Sequence, residues 1–496
     1  MVELIIKIFT IDNMKILVLI AIACICLIFV VHDPVLLFSS FNKKYYFTFI
    51  AIALEFIFTF FCFIYIILTF SFAKKQGLAN EQIILLPSTL IPVLILILHS
   101  IPIFWAMTDN KLLIELANSK YIIQTIFLVL ISFSLLFSGL IIGKKRILNR
   151  LDKSLYLDRK LDFVKPKTIK LYLRTLIALS ALVFPFTIGF RTDIIFSGGR
   201  HYIINSELLV TLVPLAGIIA SICTIFAGIC YAKSNQWIVL LVPIIDILPR
   251  LIYLSRGFFL PIILFTLSSS LLGKYLPIWV YLIVAPILLL LGSAAVSSRG
   301  TSSGGLTGIE SGISSVQGDY LSSFRDFFET NFNLGILSNA VAFHNKSLSV
   351  YDGFVSWLLT VLPLPSFLKL PSITPPNVHE LLGIGGVGIP MPVIGELYFW
   401  MGWTGTLIFF LFGWWIGRLE GNIIYQTKVC GSAYWTHILI WLSALYCFIL
   451  SFHSASRGSS RVLLYAVAFI WLLELIVSIF FSKNKSVAWI KPNTIS

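Results

Sequence analysis

Apolar runs of about 18 residues or more recur from one end of this chain to the other, and a run of that length fits a membrane-crossing helix better than a buried helix of a soluble domain. Inside a bilayer each backbone N–H and C=O must find its partner within the segment or a closed sheet, so uninterrupted runs of this kind are helical. About twelve spans are expected, at 15–31, 45–72, 83–106, 121–142, 171–190, 208–231, 236–254, 258–273, 276–296, 394–417, 434–452 and 462–482. Only 12% of the 496 residues are charged, against about 25% in a typical soluble domain. The chain therefore reads as an all-α polytopic membrane protein, a single integral membrane domain over 1–496, with the lipid bilayer as its surroundings. Pro87, Pro92 and Pro102 are expected to kink the third span, and Pro185, Pro214, Pro243 and Pro249 later ones. The first run, 16–31, has no small-residue cleavage motif after it and reads as a retained helix rather than a signal peptide.

One stretch breaks the pattern. Residues 297–392 contain no clean span and form a long loop between the ninth and tenth helices. Loops of that length are uncommon unless they are functional or disordered. Within it, Phe324-Arg325-Asp326-Phe327-Phe328 and the stretch 352–359 read as short amphipathic helices lying on the membrane, followed by breaks at Pro363, Pro365, Pro371, Pro375 and Pro376. The whole resembles a lid around a cavity that opens toward lipid.

Orientation follows from the connection between the fourth and fifth spans. Lys144, Lys145, Arg146, Arg150, Lys153, Arg159, Lys160, Lys165, Lys167 and Lys170 crowd it, which places it in the cytoplasm. Alternation then puts both termini inside and the long loop outside, on the extracytoplasmic face. The net charge of +14 is spread among the connections, which is how such a chain is oriented, and it argues for no nucleic acid partner. The seven cysteines avoid the long loop and show no zinc-type spacing, so neither a disulfide framework nor a metal site is expected.

Lysine and arginine distribute differently. Six of the 23 lysines fall outside in this topology, but eight of the 13 arginines do: Arg191, Arg200, Arg250, Arg256, Arg299, Arg325, Arg457 and Arg461. Insertion gives no reason for that contrast. The planar, always-charged guanidinium grips phosphate oxygens in pairs, so the outer face is read as built to hold a phosphate or diphosphate. Three Ser-Arg-Gly triplets, around Arg256, Arg299 and Arg457, fall at outer helix ends, where glycine would let the backbone turn and offer its N–H groups. Interfacial snorkelling is the plainer account of any one of them. Arg191 stands two residues from Asp193, which makes it a phosphate ligand or half of a surface ion pair; Arg200, after Gly198-Gly199, is the stronger candidate. Arg250 lies in an apolar run one helical turn after Asp246, its expected partner.

The base candidates are Glu396, His379 and His453. Glu396 opens the tenth span, where it either complements the helix dipole or faces the cavity and deprotonates a hydroxyl. The glycine-rich stretch 383–388 lacks the Gly-Lys-Ser/Thr ending of a nucleotide loop; it reads as a backbone-lined turn against a sugar or phosphate, or as a hinge.

Gly385-Gly386-Val387-Gly388, then Ile394-Gly395-Glu396-Leu397-Tyr398, then Gly402-Trp403-Thr404-Gly405, after a Pro-rich run and before the last helices, resembles the bacterial O-antigen or capsule repeat-unit polymerases, the Wzy family. That family usually carries a Ser shortly before the Glu; here Pro390, Met391 and Pro392 fill the space, so the Ser has no counterpart. The resemblance implies a GT-C-like glycosyltransferase of the inner membrane, joining oligosaccharide repeats carried on undecaprenyl diphosphate at the outer face, with no cofactor. It implies sugar contacts at Gly385, Gly386 and Tyr398 and a chain-length regulator protein as a candidate partner. O-antigen ligase shares the fold logic and the donor. A polysaccharide flippase or exporter is the reading of a different class; it should show two similar halves, which the sequence does not display.

Overall fold

The computed structural model describes residues 43–75, 78, 80–100, 119–151, 166–188, 190, 207–252, 260–277, isolated positions between 286 and 314, then 349–362, 391–430, 434–452 and 456–481. Every regular element among them is helical: α1 (Lys43–Lys75), α2 (Asn80–Ile84), α3 (Pro87–Ile95), α4 (Ser119–Leu151), α5 (Pro166–Thr187), α6 (Glu207–Ser234), α7 (Leu241–Ile252), α8 (Leu260–Leu271), α9 (Val350–Val361), α10 (Val393–Met401), α11 (Leu407–Cys430), α12 (Trp435–Ser451) and α13 (Ser456–Phe481).

Among the described residues, six stretches are long and apolar enough to cross a membrane: Glu55–Lys75, Gln124–Leu148, Lys170–Thr187, Leu215–Ser234, Val393–Lys428 and Ser459–Ile476. Each falls on an expected span. α7 and α8 are each described over 12 residues, and α7 is preceded directly by a 3₁₀ turn, Trp237–Leu240. The first expected span, 15–31, lies outside the described residues, and the ninth, 276–296, is described at a few positions only. α1 shows what its solvent must be. Phe56, Ile57, Phe60, Phe63 and Ile67 stand exposed along one face, while Phe58, Cys62 and Tyr65 are buried on the other. A surface helix in water turns polar residues outward; this one turns phenylalanine and isoleucine outward, as lipid requires.

The third expected span is interrupted. α2 ends in a turn at Leu85 and Leu86, and Pro87 opens α3. Pro87 was expected to kink a helix; it starts one, because at the first helical position its missing N–H has no intrahelical acceptor to lose. Pro92 lies inside α3, and beyond Ile95 the backbone widens into a π turn at Leu96–Ser100.

α4 and α11 form the closest pair among the described residues. Gly139 and Gly143 of α4 lie on the backbone of Phe410, Trp414 and Arg418, and Gly413 and Gly417 of α11 lie on the carbonyls of Leu136 and Leu140. A methyl group at any of these four glycines would strike main-chain atoms that cannot swing away. Residue numbers climb together on both helices, so α4 and α11 run in the same direction. Spacings of four residues between small side chains are how helices approach closely where no hydrophobic effect drives them together.

The basic connection after the fourth span is also partly helical. α4 continues to Leu151, so Lys144, Lys145, Arg146 and Arg150 extend a helix instead of lying in a loop. Lys144 is buried. Its Nζ sits 3.0 Å from Glu420 Oε1 and 2.9 Å from Ser88 Oγ. Glu420 Oε2 accepts from the Ser88 N–H at 2.9 Å and from Ser88 Oγ at 2.5 Å. Three helices, α3, α4 and α11, are thus tied at one point, and the N-terminus of α3 offers its N–H to the carboxylate.

Candidate functional site

α9 is the one helix of eight or more residues described within the long loop. Ser349 caps it, accepting from the Asp352 N–H at 3.2 Å. It packs on both α10 and α13. Gly353 lies directly on the carbonyl of Trp400, and Ser460 Oγ of α13 donates to the Val361 carbonyl at 3.1 Å. The two helices that α9 joins carry Glu396 and Tyr398 on one side and Arg457 and Arg461 on the other.

Glu396 occupies the first turn of α10 and is wholly buried. Its N–H bonds the Pro392 carbonyl at 2.9 Å, and no side chain caps this helix start. The carboxylate therefore lies inside the protein, within one turn of a helix N-terminus whose dipole favours negative charge. Tyr398, two residues on, is buried and meets Trp403 edge to face at 5.5 Å. Arg461 is half-buried in the second turn of α13.

Ser456-Arg457-Gly458 differs from expectation in one respect. All three residues are helical, forming the first turn of α13, so Gly458 makes no turn there. The free N–H groups expected of a glycine bend are supplied by the helix start itself. His379, His453, Arg191, Arg200, Arg256, Arg299, Gly385 and Gly386 lie outside the described residues.

The Asp246–Arg250 pair forms as its one-turn spacing predicts. Arg250 Nε lies 3.0 Å from Asp246 Oδ1, and Thr224 Oγ1 donates to Asp246 Oδ2 at 3.1 Å. Arg250 also donates to Ser221 Oγ at 2.6 Å. The pair fastens α7 to α6, so this arginine is held by acceptors of its own chain.

A second ionisable pair has no counterpart in the sequence reading. Glu55 of α1 is wholly buried, and its Oε2 lies 3.6 Å from Nε2 of the buried His99, in the π turn. That separation is too long for a hydrogen bond. Among the described residues, both carboxylate oxygens, and the hydroxyls of Thr59, one turn after Glu55, and Ser100, next to His99, have no hydrogen-bond partner. A lone glutamate inside an apolar run was the signal, since ionisable residues in spans are functional candidates by default. Among the described residues no three His, Cys, Asp or Glu side chains are grouped to hold a metal ion.

Compared with known proteins, the chain matches no family model, no curated protein and no solved structure.

Proposed function

We propose that this chain is a twelve-span, GT-C-like glycosyltransferase that polymerises undecaprenyl-diphosphate-linked oligosaccharide repeats into O-antigen or capsular polysaccharide. It works at the outer face of the bacterial inner membrane, with both termini in the cytoplasm. The observation that carries this reading is the placement of Glu396, a carboxylate with no exposure, on a helix joined through α9 to the arginine-bearing start of α13. A buried carboxylate on a helix that shares α9 with the arginine-bearing start of α13 suits a reaction that needs a base and a charged leaving group together.

In that reaction the acceptor hydroxyl oxygen of the incoming repeat bonds to the anomeric carbon of the growing chain. The anomeric carbon–phosphate oxygen bond breaks, undecaprenyl diphosphate departs, and the hydroxyl proton passes to Glu396. Arg457 and Arg461, with Arg191, Arg200, Arg256 and Arg299, stabilise the charge that builds on the diphosphate. Tyr398 and the glycine-rich turn hold the sugar. A chain-length regulator protein is the natural partner of such an enzyme.

The test is direct. Purified protein in liposomes is given lipid-linked repeat units. Lengthening is the expected result. Movement of the repeats across the bilayer without lengthening assigns an exporter instead, and transfer to a lipid A-core acceptor without self-lengthening assigns a ligase.

A further inference from the structure

α9 is built inside out. Its protein-facing stripe is Gly353 and Ser356, both buried, with Trp357 partly buried against the core and Thr360 one turn beyond. Ser356 and Thr360 are small and polar, and the Thr360 hydroxyl is turned back onto the Ser356 carbonyl at 2.9 Å. Its outward stripe is Tyr351, Phe354, Val355, Leu358 and Leu362, all exposed. The outward spacings of three, four, seven and eleven residues are those of one helical face. A helix on a water-exposed lid would carry the reverse pattern, with apolar residues inward and polar ones outward. A helix lying at the membrane interface would keep a charged face toward water. α9 has neither. Its one charge, Asp352, sits in the first turn and is bonded to the Ser349 hydroxyl at 2.5 Å.

Small residues at the closest helix contacts and large apolar residues outward is the arrangement of helices packed within a bilayer. α9 packs on α13, whose own exposed face is Leu464, Val467, Trp471, Leu472, Leu475 and Ile479. We propose that α9 is immersed in the hydrocarbon of the outer leaflet, with acyl chains covering Tyr351, Phe354, Val355, Leu358 and Leu362. At 12 residues, about 18 Å, it cannot cross the bilayer, so it dips in and returns. This holds whatever reaction the protein performs; under the transferase reading it makes α9 the wall between Glu396 and the lipid.

Nitroxides placed on single cysteines at 351, 354 and 358, in an otherwise cysteine-free chain, test this in vesicles of phosphatidylethanolamine and phosphatidylglycerol. Collision with oxygen should match that at 467 and 471 on α13, and broadening by a water-soluble nickel chelate should be lost. Nickel access equal to that at an aqueous site overturns the proposal, since the face is then in water. Exclusion of both relaxants overturns it too, since protein then covers the face. Should the labelled chains fail to fold, the unaltered protein is irradiated in the same vesicles containing a diazirine on the lipid acyl chain. The peptide spanning 350–362 is expected to be labelled, and its absence from the labelled peptides counts against immersion. Neither readout depends on chain lengthening, so failure here and failure of the transferase reading are separate results.

Discussion

Removing Lys144 should cost more than its single ion pair suggests. Lys144→Met keeps most of the side-chain volume but takes the ammonium from a glutamate with no exposure. Glu420 Oε1 then loses its 3.0 Å partner, while Oε2 keeps both donors from Ser88. Breaking a buried pair from one side strands the other charge and costs about 3–5 kcal/mol. In Lys144→Met/Glu420→Gln no charge is stranded. What remains is the loss of a few net hydrogen bonds, about 1 kcal/mol each. The double variant should therefore be more stable than Lys144→Met alone, with a coupling energy of about 0.5–3 kcal/mol. Equilibrium unfolding in mixed micelles at rising SDS fraction, followed by helical circular dichroism, gives the four corners of the cycle. The buried thiols of Cys62, Cys223 and Cys230 supply an independent probe, since each becomes reactive only on opening. If the two single losses simply add, or if Lys144→Met costs under about 1 kcal/mol, the point joining α3, α4 and α11 is not held by this pair.

Gly417→Val should separate α4 from α11, because its Cβ would meet the Leu140 carbonyl; a loss of more than about 3 kcal/mol in the same unfolding assay is expected, and wild-type stability would show that the helices can move apart freely. Glu396→Gln should abolish lengthening while donor lipid still binds, because the shape is kept and the base is lost; unchanged turnover would leave Glu396 a structural carboxylate. Arg457→Lys and Arg461→Lys should each shorten the polymer, since lysine keeps the charge without the paired donors; full-length ladders from both would reduce the arginine argument to charge alone.

The six long spans were legible because composition dictates them: in a run such as Phe56 to Ile67 little else is possible. Asp246 and Arg250 were legible because helical spacing puts them on one face. The Gly139/Gly143 and Gly413/Gly417/Gly421 spacings stood in the sequence unread. Glycine at four-residue intervals names a close-packing face but not its partner, and the partner of α11 is α4, far away along the chain. Lys144 was assigned to a cytoplasmic loop because positive-inside counting treats all basic residues near a helix end alike. Only the position of Glu420 on the neighbouring helix reveals that one of those charges is consumed internally. His99 reads as an ordinary apolar-run histidine until α3 is placed against α1. In each case the missing information was which helix lies next to which, and no local rule carries it.

That neighbour information also explains why Glu396 is inside. Val393–Lys428 is a 36-residue stretch, which as one straight helix would reach about 54 Å, nearly twice the hydrocarbon thickness. It is not straight: it breaks at Gly402, whose φ of 64° and ψ of −146° suit glycine and few other residues. The backbone then tightens into a single 3₁₀ stretch, Gly402–Thr406, and Gly405 lets the chain close onto the Leu397 backbone. Beyond that bend α11 is clamped to α4 by glycine contacts and the Glu420–Lys144 pair. The short α10 is left as a separate nine-residue lever with Glu396 in its first turn and α9 packed across it. Under the transferase reading, a substrate reaches the buried carboxylate by displacing the 12-residue α9, which packs on α10, rather than by separating α4 from α11.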